Sequence, residues 1–242
     1  MTRRGIAAFA LLLCVASATT FAANSAPQSF VASYSVNFRG MYAGTTEVEL
    51  KPDPQDPAGK AYEYASRANA RGMFRAFFSD EITQTSWLVI EDAGVRPVRY
   101  RADDGSEDTD RDISLDFDWS TKRVTGTAED KPVALDLNPG VQDVMSMQVA
   151  TMRDLARAQV PESYTIVDKD RIKLYRFTRE PDAKLKTAIG ELDTVVYRSQ
   201  REGSKRSMRT WYAPSLGFIP VRAERLREGK REMLMEIREL KR

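Results

Sequence analysis

The sequence predicts a mainly β protein: a curved antiparallel sheet, or an open or closed barrel, of about a dozen strands with one amphipathic helix at about 140–158. Three observations predict it. Apolar and polar residues alternate over most of the chain, the pattern of half-buried strands. Breaks rich in Gly, Pro and Asp fall at short intervals, and strands joined by short turns pair antiparallel. Helical spacing of apolar residues occurs in one stretch. So many strands exceed what a flat open sheet tolerates, so the sheet is expected to curl. Two stacked sheets are the alternative.

Phe30, Ala32, Tyr34, Val36 and Phe38 alternate as the first strand, and Thr46, Val48 and Leu50 continue as its partner after a turn holding Gly40 and Gly44. Positive φ is the expected need for those two glycines. Pro52, Pro54, Pro57 and Gly59 mark a loop. Lys60 to Asn69 is the next strand, with Tyr62 and Tyr64 on one face, and Phe74 to Phe78 is a short helical turn. Further strands are expected at Glu81 to Ile90, Val95 to Ala102, Arg111 to Trp119, Arg123 to Thr127 and Lys131 to Leu137. The period then changes. Val141, Val144, Met145, Met152, Leu155 and Ala156 recur at helical spacing, with Asn138 and Pro139 as N-cap and first helical residue and with Arg153 and Arg157 at the negative carbonyl end. Strands resume at Ser163 to Val167, Ile172 to Thr178, Lys184 to Ala188, Leu192 to Gln200, Arg206 to Tyr212, Phe218 to Leu226 and Glu232 to Leu240.

Residues 1–22 read as a cleavable secretory signal, leaving residues 23–242 as a single β-rich domain. Arg3 and Arg4 precede an apolar run from Gly5 to Val15, too short to span a bilayer comfortably, and cleavage is expected near Ala22 or Ala23. Thr2-Arg3-Arg4-Gly5-Ile6 partly mimics a twin-arginine signal, so both export routes stand open. The expected location is the periplasm, with no transmembrane span in the mature chain.

Cleavage removes Arg3, Arg4 and Cys14, the chain's one cysteine, and no acid; of 37 Lys+Arg, 35 remain against 35 Asp+Glu. Neutrality argues against a nucleic-acid partner, since phosphate binding needs a basic surface. The chain contains no His. A Ser-His-Asp triad, a Cys nucleophile, a His-ligated zinc and a His-ligated haem are therefore excluded. No cofactor is expected, and stability must come from the core rather than disulfides.

Ordered motifs carry a family resemblance. They are Gly40-x3-Gly44, Pro97-x2-Tyr100, Phe117-Asp118-Trp119, Pro139-Gly140-x2-Asp143-x2-Ser146, Trp211-Tyr212-Ala213-Pro214 and Pro220-Val221-Arg222. In this order behind a signal, the chain resembles the exported bacterial family known as domain of unknown function 3108. The resemblance covers nearly all of the mature chain. It implies a β-rich envelope protein of Gram-negative type and brings no assigned catalytic residues.

Few residues stand out chemically. Asp108, Asp110 and Asp112 have the opening spacing of a calcium loop, but Ile113 stands at the sixth position, where it needs Gly, and no Glu stands at the twelfth, so a solvated hairpin loop is expected and no metal site. Asp116 and Asp118 share a strand face at about 7 Å, a spacing open to a two-carboxylate glycosidase; a buried Phe117 between solvated acids explains the pattern as well. Asp143 and Ser146 lie one turn apart at the helix start, a capping arrangement. Trp211, Arg222 and Arg225, near a late turn, are the candidate ligand-binding residues. Charge is locally polarised: 12 acids against 4 bases over Asp103–Met147, and 13 bases against 6 acids over Val196–Arg242. Either these segments pair and cancel, or the basic one faces an anionic partner.

Together these features suggest a non-enzymatic periplasmic envelope protein that binds a lipid or other anionic amphiphile, or an envelope protein partner. A carboxylate-based carbohydrate-active hydrolase and a structural scaffold of an envelope assembly are the alternatives, so an enzymatic role stays open.

Overall fold

The computed structural model describes residues 27–76 and 81–242. The expected signal segment lies outside the described residues, as do Phe77 and Phe78 of the expected helical turn. Among the described residues the strands are β1 (Phe30–Phe38), β2 (Met41–Pro52), β3 (Ala61–Ala70), β4 (Ile82–Glu91), β5 (Gly94–Asp103), β6 (Ile113–Asp118), β7 (Arg123–Ala128) and β8 (Lys131–Asp136). After the helix α1 (Ser146–Ala156) come β9 (Ser163–Asp168), β10 (Arg171–Thr187), β11 (Gly190–Arg201), β12 (Arg206–Ala213), β13 (Ile219–Arg227) and β14 (Lys230–Lys241). A 3-10 turn covers Gly72–Ala76 and another Pro214–Leu216.

All the strands form one sheet in the order β8-β7-β6-β5-β4-β3-β2-β1-β14-β13-β12-β11-β10-β9. Each ladder is antiparallel, as short turns between sequential strands require. Among the described residues, the one ladder between strands not consecutive in sequence joins β1 to β14, with Tyr34 opposite Ile237. The sheet is not closed: β8 and β9 are its edges. A seam brings them together. Gln142, just past β8, makes a parallel bridge to Ile166 of β9, its N–H donating to the Thr165 carbonyl (2.9 Å) and its carbonyl accepting from the Val167 N–H (2.8 Å). The Lys169–Glu129 ion pair joins the two turns beside it.

Strand alternation fixes which side is interior. Phe30, Ala32 and Tyr34 of β1 are buried, as are Thr46, Val48 and Leu50 of β2 and Tyr62 and Tyr64 of β3. Phe117, Leu115 and Val124 continue the buried layer. Buried hydroxyls find partners, as they must in an apolar setting. The Tyr34 hydroxyl donates to the Pro220 carbonyl at 2.8 Å across the barrel wall.

Two glycines allow strands to approach closely. A Cβ on Gly44 (φ +151°) would sit 2.0 Å from the Asn69 carbonyl oxygen, and one on Gly126 (φ +144°) 1.9 Å from that of Ser114. Gly44 is therefore required within the β2–β3 ladder, not by the β1–β2 turn, which Arg39 and Gly40 make with positive φ.

Two element boundaries differ from expectation. The expected strands at 172–178 and 184–188 are one long strand, β10, running past the irregularity between Glu180 and Ala183. The helix begins at Ser146 rather than near 140. Gly140 adopts φ 81°, the Val141 N–H closes a turn onto the Asn138 carbonyl (3.3 Å), and Gln142 is drawn into β pairing at the seam. Tertiary pairing outweighs the local Asn-Pro signal, and Asp143 caps the helix instead.

Candidate functional site

The helix is held across one mouth of the barrel. Its partners lie on strands far apart in the sheet. Tyr64 of β3 donates to Gln148 Oε1 (3.2 Å), and Tyr164 of β9 donates to Asp154 Oδ2 (2.8 Å). Arg153 donates to the carbonyls of Glu91 and Asp92 in the β4–β5 turn (3.0 and 2.5 Å). Ser146, Val149, Ala150, Thr151, Met152 and Leu155 are buried, a wider face than a surface helix presents.

The start of α1 is fixed by a reciprocal cap. Asp143 Oδ1 accepts from the N–H groups of Met145 and Ser146 (2.7 Å each), while Ser146 Oγ accepts from the Asp143 N–H (2.9 Å). Ser86 of β4 donates to Asp143 Oδ2 at 2.6 Å, tying the cap to the barrel wall. Asp143 is fully buried. Burial pushes its carboxyl up to about 6, against the hydrogen bonds from Ser86, Ser146 and Met145 that pull it down.

A cavity of about 420 Å³ lies beside this helix. Phe30, Leu50, Val149, Met152 and Ile219 form its buried floor, and Ile90 and Leu216 its half-buried walls. Gln28, Ala156, Gly217 and Arg242 are exposed and mark the mouth, with Arg153 and Arg157 beside them. An apolar floor and a few polar groups at the rim are what a small-molecule pocket presents, and its volume falls in their range of ~300–1,000 Å³. Arg153 and Arg157 were expected only to complement the helix carbonyls. Their position one turn apart, on a face shared with Val149, Met152 and Ala156, is the signal that marks them as rim residues. A smaller polar cavity of about 230 Å³ lies at the far end, between the β1–β2 and β13–β14 turns.

Trp211, Arg222 and Arg225 line neither cavity. Trp211 lies opposite Arg222 across β12–β13, on the face opposite to that of Thr210, Ala223 and Met235. Met235 pairs with Val36, two residues from inward Tyr34, so Trp211 and Arg222 are on the outer face. Trp211 is nonetheless buried, because the guanidiniums of Arg222 and Arg209 cover its ring at 5.1 and 5.7 Å. Arg222 also pairs with Glu224 (2.7 Å) and Glu236 (3.7 Å), and Arg225 with Glu232 (3.6 Å). Burial raises the Glu224 carboxyl, but the hydrogen bonds from Arg231 and Arg222 outweigh it and hold the group below its usual range.

The charge polarity is resolved locally. The strands of the acidic segment, β6 to β8, are not neighbours of β12 to β14. Asp116 pairs with Arg99 and Arg101, and Asp136 with Arg123. On the basic side, Glu232 faces Arg206, Arg225 and Arg227, while Glu180 takes Arg198 and Arg209. Among the described residues no ion pair joins the two segments, so they do not cancel each other directly.

Asp116 and Asp118 flank inward Phe117 and are exposed. Asp118 is occupied in a turn with Ser120 and Thr121, whose hydrogen bonds lower its carboxyl to about 2. In the β5–β6 loop the carboxylates of Asp103, Asp104 and Asp112, not those of Asp108, Asp110 and Asp112, come within 4.8 Å of one another. Asp104 already accepts from Ser106 and Arg111.

One antiparallel sheet curled around an apolar interior, with a helix across one mouth and a cavity beside it, defines a β-barrel-like protein. The chain belongs to the family described as "Protein of unknown function (DUF3108)", whose model matches residues 33–236. No curated protein matches it. Its fold is similar to a β-barrel-like protein of domain of unknown function DUF1849 from Brucella abortus, at 10% identity and TM-score 0.58, covering 88% of this chain and 96% of that one. A weaker likeness, at 11% identity and TM-score 0.36, is to the complex of MucA and MucB from Pseudomonas aeruginosa; it covers 88% of this chain and 51% of the other. Among the described residues no helix is long and apolar enough to cross a membrane.

Proposed function

We propose that the protein is a non-enzymatic component of the cell envelope, exported to the periplasm, that holds a lipid-like amphiphile in the cavity beside α1. One observation carries this reading: the cavity joins a buried apolar floor of Phe30, Leu50, Val149, Met152 and Ile219 to a mouth rimmed by arginines. Withdrawing an apolar tail from water is worth about 25 cal/mol per Å² covered, and no catalytic group is needed to gain it. The signal-like residues 1–22 support export.

Native mass spectrometry of protein purified from the periplasm without detergent tests the reading. The expected result is a retained amphiphile, and binding of 11-(dansylamino)undecanoic acid once that ligand is stripped. Met152→Trp fills the floor, and Ala156→Trp obstructs the exposed mouth with less risk to folding; each should abolish probe binding. No retained amphiphile together with no probe binding would refute the reading.

A further inference from the structure

We infer that this cavity selects single-chain amphiphiles with an anionic head, a carboxylate or a phosphate, received at the mouth by Arg157 and Arg242. The inference rests on the amphiphile reading above and adds the chemistry of the head group.

Three guanidiniums border the cavity, and they are not equivalent. Arg153 is committed to the fold: Nη1 binds Asp154 (3.1 Å), Nη2 binds the carbonyls of Glu91 and Asp92, and the side chain is 14% exposed. The other oxygen of Asp154 is taken by Tyr164. Arg153 thus offsets the carbonyl end of α1, which carries about half a negative charge.

Arg157 is fixed in place at the rim. Its Nη1 donates to the Asp92 carbonyl at 3.1 Å, which fixes the guanidinium at the rim. The Asp92 carboxylate stands 3.8 Å from Nη2 and is 87% exposed, so water screens this pair. Arg242 is exposed and, among the described residues, makes no ion pair with a carboxylate. Its Nη2 lies 4.0 Å from where a Cβ on Gly217 would stand, over a rim position with no side chain. Guanidiniums bind carboxylate and phosphate oxygens through paired N–H groups. A neutral head would leave both cations beside the apolar mouth with no new partner.

Isothermal titration with dodecanoate, dodecyl phosphate and dodecyl maltoside, each below its micellar concentration, tests the inference, with inorganic phosphate as the tail-free arm. Both anionic chains should bind at least about tenfold tighter than the maltoside, the scale of one charge-assisted contact. That preference should shrink as salt rises, because exposed charges are screened. Inorganic phosphate alone should not bind. Arg157→Glu with Arg242→Glu should erase the preference, bringing the affinities for dodecanoate and dodecyl phosphate down to or below that for the maltoside, with the circular dichroism of the fold unchanged; if the double variant misfolds, Arg242→Gln alone should reduce the preference. Equal affinity for maltoside and dodecanoate would overturn the head-group inference and leave the cavity reading intact. An unchanged preference in the folded variants would overturn the assignment to these arginines, as would inorganic phosphate binding as tightly as dodecyl phosphate. Binding of none of the three amphiphiles would overturn both readings.

Discussion

Asp143 anchors α1 to two backbone N–H groups and to Ser86 of the barrel wall, and it does so as a buried carboxyl pushed up to about 6. In the unfolded chain the same group ionises near 3.9. Between about pH 4 and 6 the folded state keeps a proton that the unfolded state has released. Stability from this group is therefore greatest below pH 4, falls as pH rises through 6, and is level above. Asp143→Asn retains an acceptor for the N–H groups and removes the titration. From pH 4 to pH 7, wild type should lose on the order of 2–3 kcal/mol relative to the Asn variant, measured by urea denaturation. A difference between the two that does not vary with pH would contradict the assignment. The reciprocal spacing of Asp143 and Ser146 was legible in the sequence. Ser86 was not, because a lone serine in a strand carries no sign of what it faces.

The inward phase of β6 was equally legible. Phe117 is 4% exposed between two exposed acids. Phe117→Ala should cost about 3–5 kcal/mol. Asp118→Asn should cost under about 1 kcal/mol, as for other exposed polar changes. Comparable losses from the two changes would mean the strand faces are reversed.

At the level of elements, alternation located the strands well because one face of each is buried. It could not show that β10 is continuous across Glu180–Ala183, since an irregularity in a ladder mimics a turn in the apolar pattern. Nor could it place the start of α1, where Gln142 is committed to the seam. Gln142 is 3% exposed, and its Nε2 donates to the Val95 carbonyl at 2.8 Å. Gln142→Ala should cost about 1–3 kcal/mol by leaving that carbonyl unpaired. It should also raise hydrogen exchange at Val167, whose N–H donates to the Gln142 carbonyl. Uniform exchange across the sheet would argue that the seam is not a distinct element. Gly44→Ala brings a methyl group against the Asn69 carbonyl and should cost at least about 2 kcal/mol by thermal denaturation. A neutral result would mean the β2–β3 approach is looser than the geometry requires.

For the whole molecule, charge patterning was visible but its resolution was not. The two polarised segments lie on different parts of the sheet, and each draws partners from nearby strands. Glu180, outside both segments, serves Arg198 and Arg209. Trp211, Arg222 and Arg225 form an aromatic with cations near a turn in the sequence, but the outer face occupies Trp211 with Arg222, and Arg222 and Arg225 are paired to glutamates. The cavity was hidden for the converse reason. Its floor comes from β1, β2, α1 and β13, and each residue there reads locally as ordinary core. Curling of the sheet brings them together around a space, which periodicity does not encode.

An apolar tail is expected to lie against this floor. Methyl-labelled protein with unlabelled dodecanoate, observed by isotope-filtered nuclear Overhauser spectroscopy, tests it most directly. Contacts are expected from the chain methylenes to the methyl groups of Met152, Val149, Leu50 and Ile219. Contacts confined to the outer face around Trp211, or none at a concentration where titration shows binding, would contradict it.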